Sequence, residues 1–369
     1  MKFVCLQENL LKGLQAVSKA VSVKPPIPVL NNVLLTSDDG MLKLSATDLN
    51  ITITTHVGAS INEEGTICVP AKLFLEVINT LPSGNISCEI EGAHLVIKTG
   101  KVSTKISTVV AKDFPELPTI SEELPFVSLA PKVLADALSV VYFSAAIDSS
   151  RPILTGIYSI FKNNKIEFVS VDGFRLSEKI VDCVSELEEE FAVVIPAKNL
   201  FEVSRIFSNS TEPIKIAYNQ EDNLMLFESS GIFVASGILD GDFPDYKRII
   251  PSEKIITSTF LSEELLGAIK LCNVFSKDTT NIVIFNFNDD GTIKISSSSD
   301  ETGEALSTID AKVEGTPYEV AYNAKYLTDF FSNVKSTTVI FESKGEYSPG
   351  VFRAEGLEDY IHIIIPSRL

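Results

Sequence analysis

Residues 69–77 read VPAKLFLEV, residues 195–203 read IPAKNLFEV, and a third, shorter copy at residues 322–327 reads YNAKYL. In each copy Ala-Lys is followed by apolar residues at the spacing of one helix face, so the same helix is predicted three times. A regular long period of this kind indicates an internal repeat. The apolar residues are Leu73, Phe74, Val77, Ile78 and Leu81, then Leu200, Phe201, Ile206 and Phe207, then Tyr326, Leu327, Phe330, Phe331 and Val334.

A second apolar helix pattern precedes each copy, within residues 10–21, 134–145 and 265–275. Between the two helices, short alternating runs are interrupted by Asp39-Gly40, Asn163-Asn164 and Asp290-Gly291, which is typical of antiparallel hairpins. We therefore predict an α+β fold of three similar domains, each with two helices packed on antiparallel sheet.

Proline-rich segments mark the ends of the first two repeats. Residues 113–118 read DFPELP, residues 242–246 read DFPDY, and Pro251 follows. Proline blocks continuation of a helix or a strand ladder, and 369 residues exceed the size of one ordinary core. We predict domains at residues 1–122, 123–251 and 252–369.

The composition narrows the class of protein. The chain is 45% hydrophobic, lacks an apolar run long enough for a signal peptide or a membrane span, and its five cysteines form no CxxC pair. We expect a cytoplasmic protein without a membrane segment, a disulfide framework or a structural zinc. The net charge of −18 opposes DNA binding, but the predicted helices carry a slight excess of Lys and Arg, so a helical surface could still tolerate DNA.

Motifs of catalysis are absent from the sequence. His56, His94 and His362 lie far apart and form no HxH or HExxH, and no P-loop, GxGxxG or GxSxG occurs. We therefore predict a protein that is not an enzyme and has no catalytic residue, metal site or cofactor.

Short motifs in a fixed order carry a family resemblance. They are IPVLNN at residues 27–32, ATDL at 46–49, VPAK at 69–72, DGFRL at 172–176, FPDY at 243–246 and PSRL at 366–369. Over essentially its whole length, the chain resembles the family of bacterial DNA polymerase III β subunits. The resemblance implies a homodimer, with two chains head to tail in a closed ring of six similar domains.

In that ring the helices would line a hole that holds double-stranded DNA without sequence preference. The resemblance implies DNA-facing cations at Lys24, Lys72, Lys198, Arg205, Lys325 and Lys335. Pro152 and Ile153 stand where some family members carry tyrosines near DNA, which leaves open the strength of DNA contact in the 147–153 loop. At the joint between chains, the implied contacts are Ile106 on one side and Val274 and Phe275 on the other.

A segment of the second repeat differs from its counterparts. After the matching Asp, the first repeat reads LNI and the third reads ETG, whereas the second reads GFRL at residues 173–176. In the family this segment helps to form an apolar groove for short peptides of the DNA polymerase III catalytic subunit, the clamp loader and other clamp-motif proteins. The matching residues are Arg151, Leu154, Gly173, Arg175, Leu176, Pro244, Ile249, Ile363, Ile365, Pro366 and Arg368.

Aliphatic walls suit apolar peptide anchors, and Arg151, Arg175 and Arg368 suit a carboxylate or carbonyl at the rim. Val171 stands where the family often has Thr, and Ser367 replaces a common apolar tail residue, so the preferred peptide motif stays open. Two alternatives to a DNA ring also remain open. One is a repeat-built protein scaffold, and the other is a hydrolase with dispersed catalytic residues.

Overall fold

A computed structural model describes residues 1–22, 25–119, 124–148, 150–277, 280–299 and 303–368. Lys24 and the predicted boundary at residues 122–123 lie outside these residues. The chain forms two compact units. The first comprises residues 1–131, 185–188 and 202–238, and the second comprises residues 132–184, 189–201 and 239–369.

The first repeat alternates hairpins with two helices, α1 (Gln7–Val17) and α2 (Ala71–Thr80). Its strands are β1 (Lys2–Leu6), β2 (Asn32–Asp38), β3 (Met41–Thr47), β4 (Ile51–Val57), β5 (Ala59–Glu63), β6 (Thr66–Pro70), β7 (Asn85–Glu91), β8 (His94–Thr99) and β9 (Val102–Ser107).

The second repeat has the same order around helices α3 (Pro131–Val141) and α4 (Ala197–Ile206). Its strands are β10 (Phe126–Leu129), β11 (Gly156–Lys162), β12 (Lys165–Val171), β13 (Arg175–Asp182), β14 (Val184–Ser185), β15 (Phe191–Pro196), β16 (Ile214–Asn219), β17 (Leu224–Ser229) and β18 (Ile232–Gly237).

The third repeat carries helices α5 (Ser262–Ser276) and α6 (Ala324–Asn333). Its strands are β19 (Ile256–Leu261), β20 (Ile282–Phe287), β21 (Thr292–Ser299), β22 (Gly303–Gly315), β23 (Glu319–Asn323), β24 (Thr338–Ser343), β25 (Gly350–Ala354) and β26 (Tyr360–Ile364). The predicted boundary at residues 251–252 falls between Ile250 and β19, and it stays a prediction.

Most residues of the predicted apolar helix faces are buried, but the prediction was wrong for Leu73 of α2, which is 48% exposed because it lies beside the stripe formed by Phe74 and Ile78. In α1, Leu10, Leu14 and Val17 are fully inaccessible to solvent, as are Phe74 and Ile78 in α2. Helix α1 packs against α2 and β4, and α5 packs against α6 and β22. Burying one such side chain contributes about 1.5–3 kcal/mol, so the apolar stripe outweighs helix propensity in stabilising each helix.

All three predicted hairpins form, and two of their turns, Asp39-Gly40 and Asn163-Asn164, have positive φ at both residues, whereas at Asp290-Gly291 only Gly291 does. Asp39 and Gly40 have φ of 45° and 75°, and Asn163 and Asn164 have φ of 50° and 58°. Two successive residues with positive φ form the tight turn that matches the twist of paired strands, and Asn, Asp and Gly adopt it most readily. These turns connect β2 to β3 and β11 to β12 in antiparallel pairs.

The sheets join neighbouring repeats. In the first unit the strand order β10-β16-β17-β18-β4-β3-β2-β6 links the second repeat to the first through β18 and β4. In the second unit β13 pairs with β26, within the order β15-β11-β12-β13-β26-β25-β24-β19-β22-β21-β20-β23. These two strand pairs are called here the first junction (β4 with β18) and the second junction (β13 with β26).

Candidate functional site

The turn between β12 and β13 holds the segment that differs between repeats. The Asp172 carboxylate accepts hydrogen bonds from the backbone N–H groups of Phe174 and Arg175, both at 2.9 Å. Gly173 has φ of 95°, a conformation that suits glycine. Asp48 closes the equivalent turn of the first repeat on Asn50 and Ile51 at the same distances. The turn is therefore shared, and only the side chains that it presents are specific to the second repeat.

Arg175 lies beneath the surface of this turn. Its side chain is 4% exposed, its Nε donates to Asp172 at 2.9 Å, and its Nη1 donates to Asp329 of α6 at 2.7 Å. The guanidinium also lies 4.8 Å from the ring centre of Tyr326. Two carboxylates and an aromatic ring therefore contact the Arg175 guanidinium, and its role at the rim of the groove stays a prediction. Arg151 and Arg368 are exposed, and their rim roles stay predictions.

An apolar cluster covers one face of the sheet beside Arg175. Leu176 and Ile363, both predicted for the groove, belong to it, and the half-buried Ile249 packs against it. The other buried members are Val169, Val171, Tyr246, Val351 and Ile361, with Tyr158, Phe243 and Ile250 packed against them. The structure thus brings together side chains from β12, β13, β25, β26 and the 243–250 segment.

A pocket beside this cluster is lined by a second set of the predicted residues. Arg151, Leu154, Gly173 and Arg175 line it together with Ala145, Ala146, Ile147, Asp148, Ser150, Asp172, Phe174, Lys325 and Tyr326. Phe174 is 58% exposed, Ile147 is 92% exposed, and the rings of Phe174 and Tyr326 stack at 6.1 Å. Exposed apolar side chains grouped around a concavity are typical of a surface that binds a partner.

Backbone hydrogen bonds hold the C-terminal tail beside the apolar cluster and the pocket. The Ile365 N–H donates to the Phe174 carbonyl at 2.9 Å, and the Ser367 N–H donates to the Ala321 carbonyl at 2.8 Å. Ile365 and Arg368 are exposed and Pro366 is half-buried, whereas Pro244 stands exposed on the 243–250 segment. Two backbone hydrogen bonds therefore hold the predicted tail residues in a defined place.

Sequence reasoning missed three aromatic residues and two carboxyl groups in this region. Tyr158 stacks on Phe243 at 4.8 Å, and the hydroxyl of the buried Tyr246 donates to Glu167. Glu167 in turn shares a hydrogen bond with Glu178. The FPDY segment at 243–246 was the available signal, because two aromatic residues beside a proline are unusual in a plain linker.

The predicted DNA-facing cations are exposed at the described positions. Lys72, Lys198 and Lys325 are the second residues of α2, α4 and α6, so they hold one equivalent place in three repeats. An acidic residue follows four positions later in each case, and Lys325 Nζ lies 2.9 Å from Asp329. Arg205 Nη1 pairs with Glu202 at 3.1 Å, and the exposed Lys335 donates to the Ser332 carbonyl. Such partly neutralised cations would give weak phosphate contacts.

The residues predicted for the contact between two chains lie beside strand edges. Ile106 sits on β9, the last strand of the sheet order β5-β1-β7-β8-β9, and its side chain is 2% exposed. Val274 is 57% exposed, and the ring of Phe275 lies 3.8 Å from the place where a Cβ on Gly303 would stand. Gly303 begins β22, whose residues 303–310 pair with β21 and whose residues 311–315 pair with β19.

His362 lies beside two hydroxyl groups, an arrangement that occurs in some catalytic sites. Its Nδ1 lies 2.8 Å from the Ser177 hydroxyl, which lies 2.8 Å from the Ser144 hydroxyl. All three residues are fully buried, so a substrate has no access to them. Burial first, and the nearby Arg175 charge second, hold the pKa of His362 well below its usual range.

Among the residues that the structure describes, no group of three or more His, Cys, Asp or Glu side chains is arranged to hold a metal ion. Within the same residues, none of the helices has both the length and the apolar character needed to cross a membrane.

Comparison with known proteins identifies the family over nearly the whole chain. The family profiles described as DNA polymerase III beta subunit match in three consecutive parts. The N-terminal domain matches residues 1–118, the central domain residues 128–245 and the C-terminal domain residues 247–368.

Individual relatives agree with the profiles. A "Beta sliding clamp" of Proteus mirabilis is 31% identical over 341 residues, covering 92% of each chain, and one of Haemophilus influenzae is 30% identical over 375 residues, covering 100% of each. The crystal structure of the DNA polymerase sliding clamp from Bacillus subtilis superposes with a TM-score of 0.93 at 25% identity, covering 100% of this chain and 99% of that one. The three-domain α+β clamp fold is thereby confirmed, and the chain belongs to the DNA polymerase III beta subunit family, the non-catalytic sliding clamps of bacterial DNA replication.

Proposed function

We propose that two copies of this chain close head to tail into a ring around double-stranded DNA and tether the replicative polymerase to it. The observation that supports this most directly is the pattern of strand junctions. The same pair of strand positions joins the first repeat to the second and the second to the third. Within the described residues, the remaining such positions, on β9 and on residues 303–310 of β22, each have one edge that pairs with no strand of the same chain.

The two intramolecular junctions have equivalent registers. In the first junction Ile51 lies opposite Ser236 and Thr55 lies opposite Ile232. In the second junction Arg175 lies opposite Ile364 and Lys179 lies opposite Tyr360. Because Asp48 and Asp172 close equivalent turns, Ile51 and Arg175 are equivalent positions. The junction is therefore a repeated structural device.

The third junction would join two chains. Asp300 is the sequence equivalent of Asp48, and Gly303 follows Asp300 by three positions as Ile51 follows Asp48, so Gly303 corresponds to Ile51. The β8–β9 hairpin ends in the pair Thr99–Val102, and the β17–β18 hairpin ends in the equivalent pair Ser229–Ile232. Ile106 follows Val102 by four positions as Ser236 follows Ile232, so Ile106 corresponds to Ser236. Edge strands left unpaired are prone to bind another strand, and pairing β9 with the β22 of a second chain removes both edges.

The resulting register brings complementary side chains together. Ile106 would lie opposite Gly303 of the partner subunit, whose missing side chain leaves room beside the Phe275 ring. Lys105 would lie opposite Glu304 of the partner subunit, a pair of opposite charges. A dimer closed in this way by two identical head-to-tail contacts forms a ring.

A ring stays on DNA because it cannot leave without opening, so its DNA contacts need not be strong. The net charge of −18 disfavours adhesion to DNA from outside, while Lys72, Lys198, Arg205, Lys325 and Lys335, with Lys24, supply weak contacts inside. Weak, sequence-independent contacts permit sliding. The cytoplasm is the compartment where such a replication protein would act.

The groove would bind the partners. A concave apolar surface is formed by the cluster around Leu176, Ile249 and Ile363 together with the pocket that Leu154 and Phe174 line. With exposed arginines beside it, this surface suits short peptides. We assign to it the DNA polymerase III catalytic subunit, the clamp loader and other clamp-motif proteins. We keep the division into domains at residues 1–122, 123–251 and 252–369 as part of this proposal.

The proposed register predicts which residues can be joined between chains. Thr104 would face Ala305 of the partner subunit, so the double variant Thr104→Cys/Ala305→Cys should form a covalent dimer under mild oxidation. The slipped control Thr104→Cys/Leu306→Cys points its second thiol to the opposite face of the strand and should cross-link far less. Denaturing gels without reductant measure both yields. Equal cross-linking of the two variants would contradict this register.

A further inference from the structure

One end of the apolar groove surface is closed by a pair of carboxyl groups. Glu167 on β12 and Glu178 on β13 point to the same sheet face as Val169 and Leu176, because side chains two residues apart on a strand share a face. Glu178 lies directly opposite Val169 and is therefore the diagonal neighbour of Glu167, close enough that each carboxyl group changes the pKa of the other. Two carboxyl groups in such contact retain a proton between them.

Tyr246 connects this pair to the groove wall. Its side chain is 3% exposed, and its hydroxyl donates to Glu167. Its ring meets those of Tyr158 and Phe243 edge-on, each at 6.4 Å. Tyr246 also starts the short helix that carries Ile249. The hydrogen bond to Glu167 therefore anchors the 243–250 segment to β12.

The charges around the pair explain where its proton resides. Burial, the hydrogen bond to Glu167 and the negative charge of Glu167 raise the pKa of Glu178 to about 8, against the opposing charges of Lys247 and Arg353. Burial also acts to raise the pKa of Glu167, but hydrogen bonds from Glu178 and Tyr246, helped by Lys247 and Lys162, leave it lowered. Below pH 8, Glu178 is thus the protonated partner and Glu167 the charged acceptor.

We propose that the Glu167–Glu178 pair holds the groove wall through Tyr246, and that loss of the shared proton loosens this wall and weakens peptide binding. The inference rests on the peptide groove proposed above. When both carboxylates are charged, their repulsion separates them, and Glu167 no longer presents its oxygen steadily to Tyr246. Glu167 and Glu178 are positioning residues here, and the groove becomes sensitive to alkaline pH.

Peptide affinity across pH tests this device. The full-length protein is titrated with a fluorescein-labelled clamp-binding peptide of the DNA polymerase III catalytic subunit, by fluorescence anisotropy from pH 6.5 to 9.5. Wild-type affinity should fall with a midpoint near pH 8, by roughly tenfold per pH unit at most, the limit for one linked proton.

Two variants separate the pair from other titrating groups. Glu178→Gln keeps a hydrogen-bond donor without a removable proton, so its affinity should match wild type at pH 7 and then stay level. Asp182→Asn removes a carboxylate at the exposed end of the same strand and should follow the wild-type curve. A Glu178→Gln curve that falls with pH like wild type would overturn the proposal.

A measurement without peptide distinguishes failure of this device from failure of the groove. The chain contains no Trp, so Phe243→Trp introduces a single reporter beside Tyr158. Its emission should shift with a midpoint near pH 8 and should not shift when Glu178→Gln is added. If Phe243→Trp gave the same emission curve with and without Glu178→Gln, the carboxyl device would be refuted. If the two curves differed but no peptide bound at any pH, the device would be supported and the groove refuted.

Discussion

The two intramolecular junctions use the same strand register but different side chains. In the first junction the helix-side contact is a distant ion pair, with Lys19 Nζ 3.9 Å from Glu202 and both side chains partly exposed. In the second junction Asp329, the counterpart of Glu202, receives the buried Arg175 at 2.7 Å. The strand pairing is the general means of joining repeats, and the buried cation is an addition where the groove is formed.

The second junction also contains a polar core. Ser177 and His362, from the paired strands β13 and β26, bind each other through their side chains. The hydroxyl of Tyr360 donates to the Val140 carbonyl at 3.1 Å. Buried polar groups require matched partners, so they tolerate fewer arrangements than apolar contacts do. In the junction that carries the groove, these side chains are therefore held by matched partners.

The largest expected effect of this difference is on partner binding. Truncation after Ile364 removes the tail whose Ile365 and Ser367 N–H groups are held beside Phe174 and Ala321, but it leaves the β13–β26 pairs intact. Peptide binding should be lost while the dimer persists, as measured by anisotropy and sedimentation velocity. Trimming only Leu369 provides the control. Unchanged peptide affinity after the longer truncation would exclude the proposed groove.

A smaller but clear effect is expected on stability. Arg175→Ala leaves Asp172 and Asp329 without their buried cation and should lower the free energy of unfolding by about 3 kcal/mol. The equivalent loss in the first junction, Lys19→Ala, should cost less than about 1 kcal/mol because that pair is partly exposed and long. Urea unfolding of both variants measures the contrast. Similar losses would show that the junctions do not differ as described.

The smallest effect concerns acid stability. Because the pKa of His362 is held below its unfolded value of 6.5, the folded state favours the neutral ring, and stability is lost as pH falls below about 6.5. In His362→Phe, the free energy of unfolding should fall less steeply with decreasing pH, by up to about 1.4 kcal/mol per pH unit. The exposed His94→Gln should retain the wild-type slope. Thermal unfolding from pH 7 to 5 measures it, and an unchanged slope in His362→Phe would assign the acid sensitivity elsewhere.

The repeats, helix faces and hairpin turns could be predicted from the sequence because each depends on neighbouring residues. Ala71, Ala197 and Ala324 begin helices, and the predicted hairpins form at the Asp-Gly and Asn-Asn turns. The junctions could not be predicted in the same way. The pairing of Arg175 with Ile364 joins residues far apart in sequence, and no local period records which strand edge meets which.

At the candidate site, too, some features could be predicted from the sequence and others could not. The GFRL segment indicated where the second repeat differs, and the family resemblance indicated Leu176, Ile363 and the tail. Neither indicated that Arg175 is buried between Asp172 and Asp329, since an arginine has the same sequence signature at a rim and beneath it. The Glu167–Glu178 contact was equally hidden, because two glutamates on adjacent strands resemble ordinary surface residues until the register is known.

Retention on DNA tests the ring most directly. The protein is loaded onto nicked circular plasmid by a compatible clamp loader, washed in high salt, and followed after the plasmid is linearised by a single cut. A topological ring should stay on the circle and slide off the ends of the linear molecule, because salt removes direct phosphate contacts but cannot open a closed ring. Retention that is unchanged by the cut would mean that the protein grips DNA by direct contact and would contradict the sliding ring.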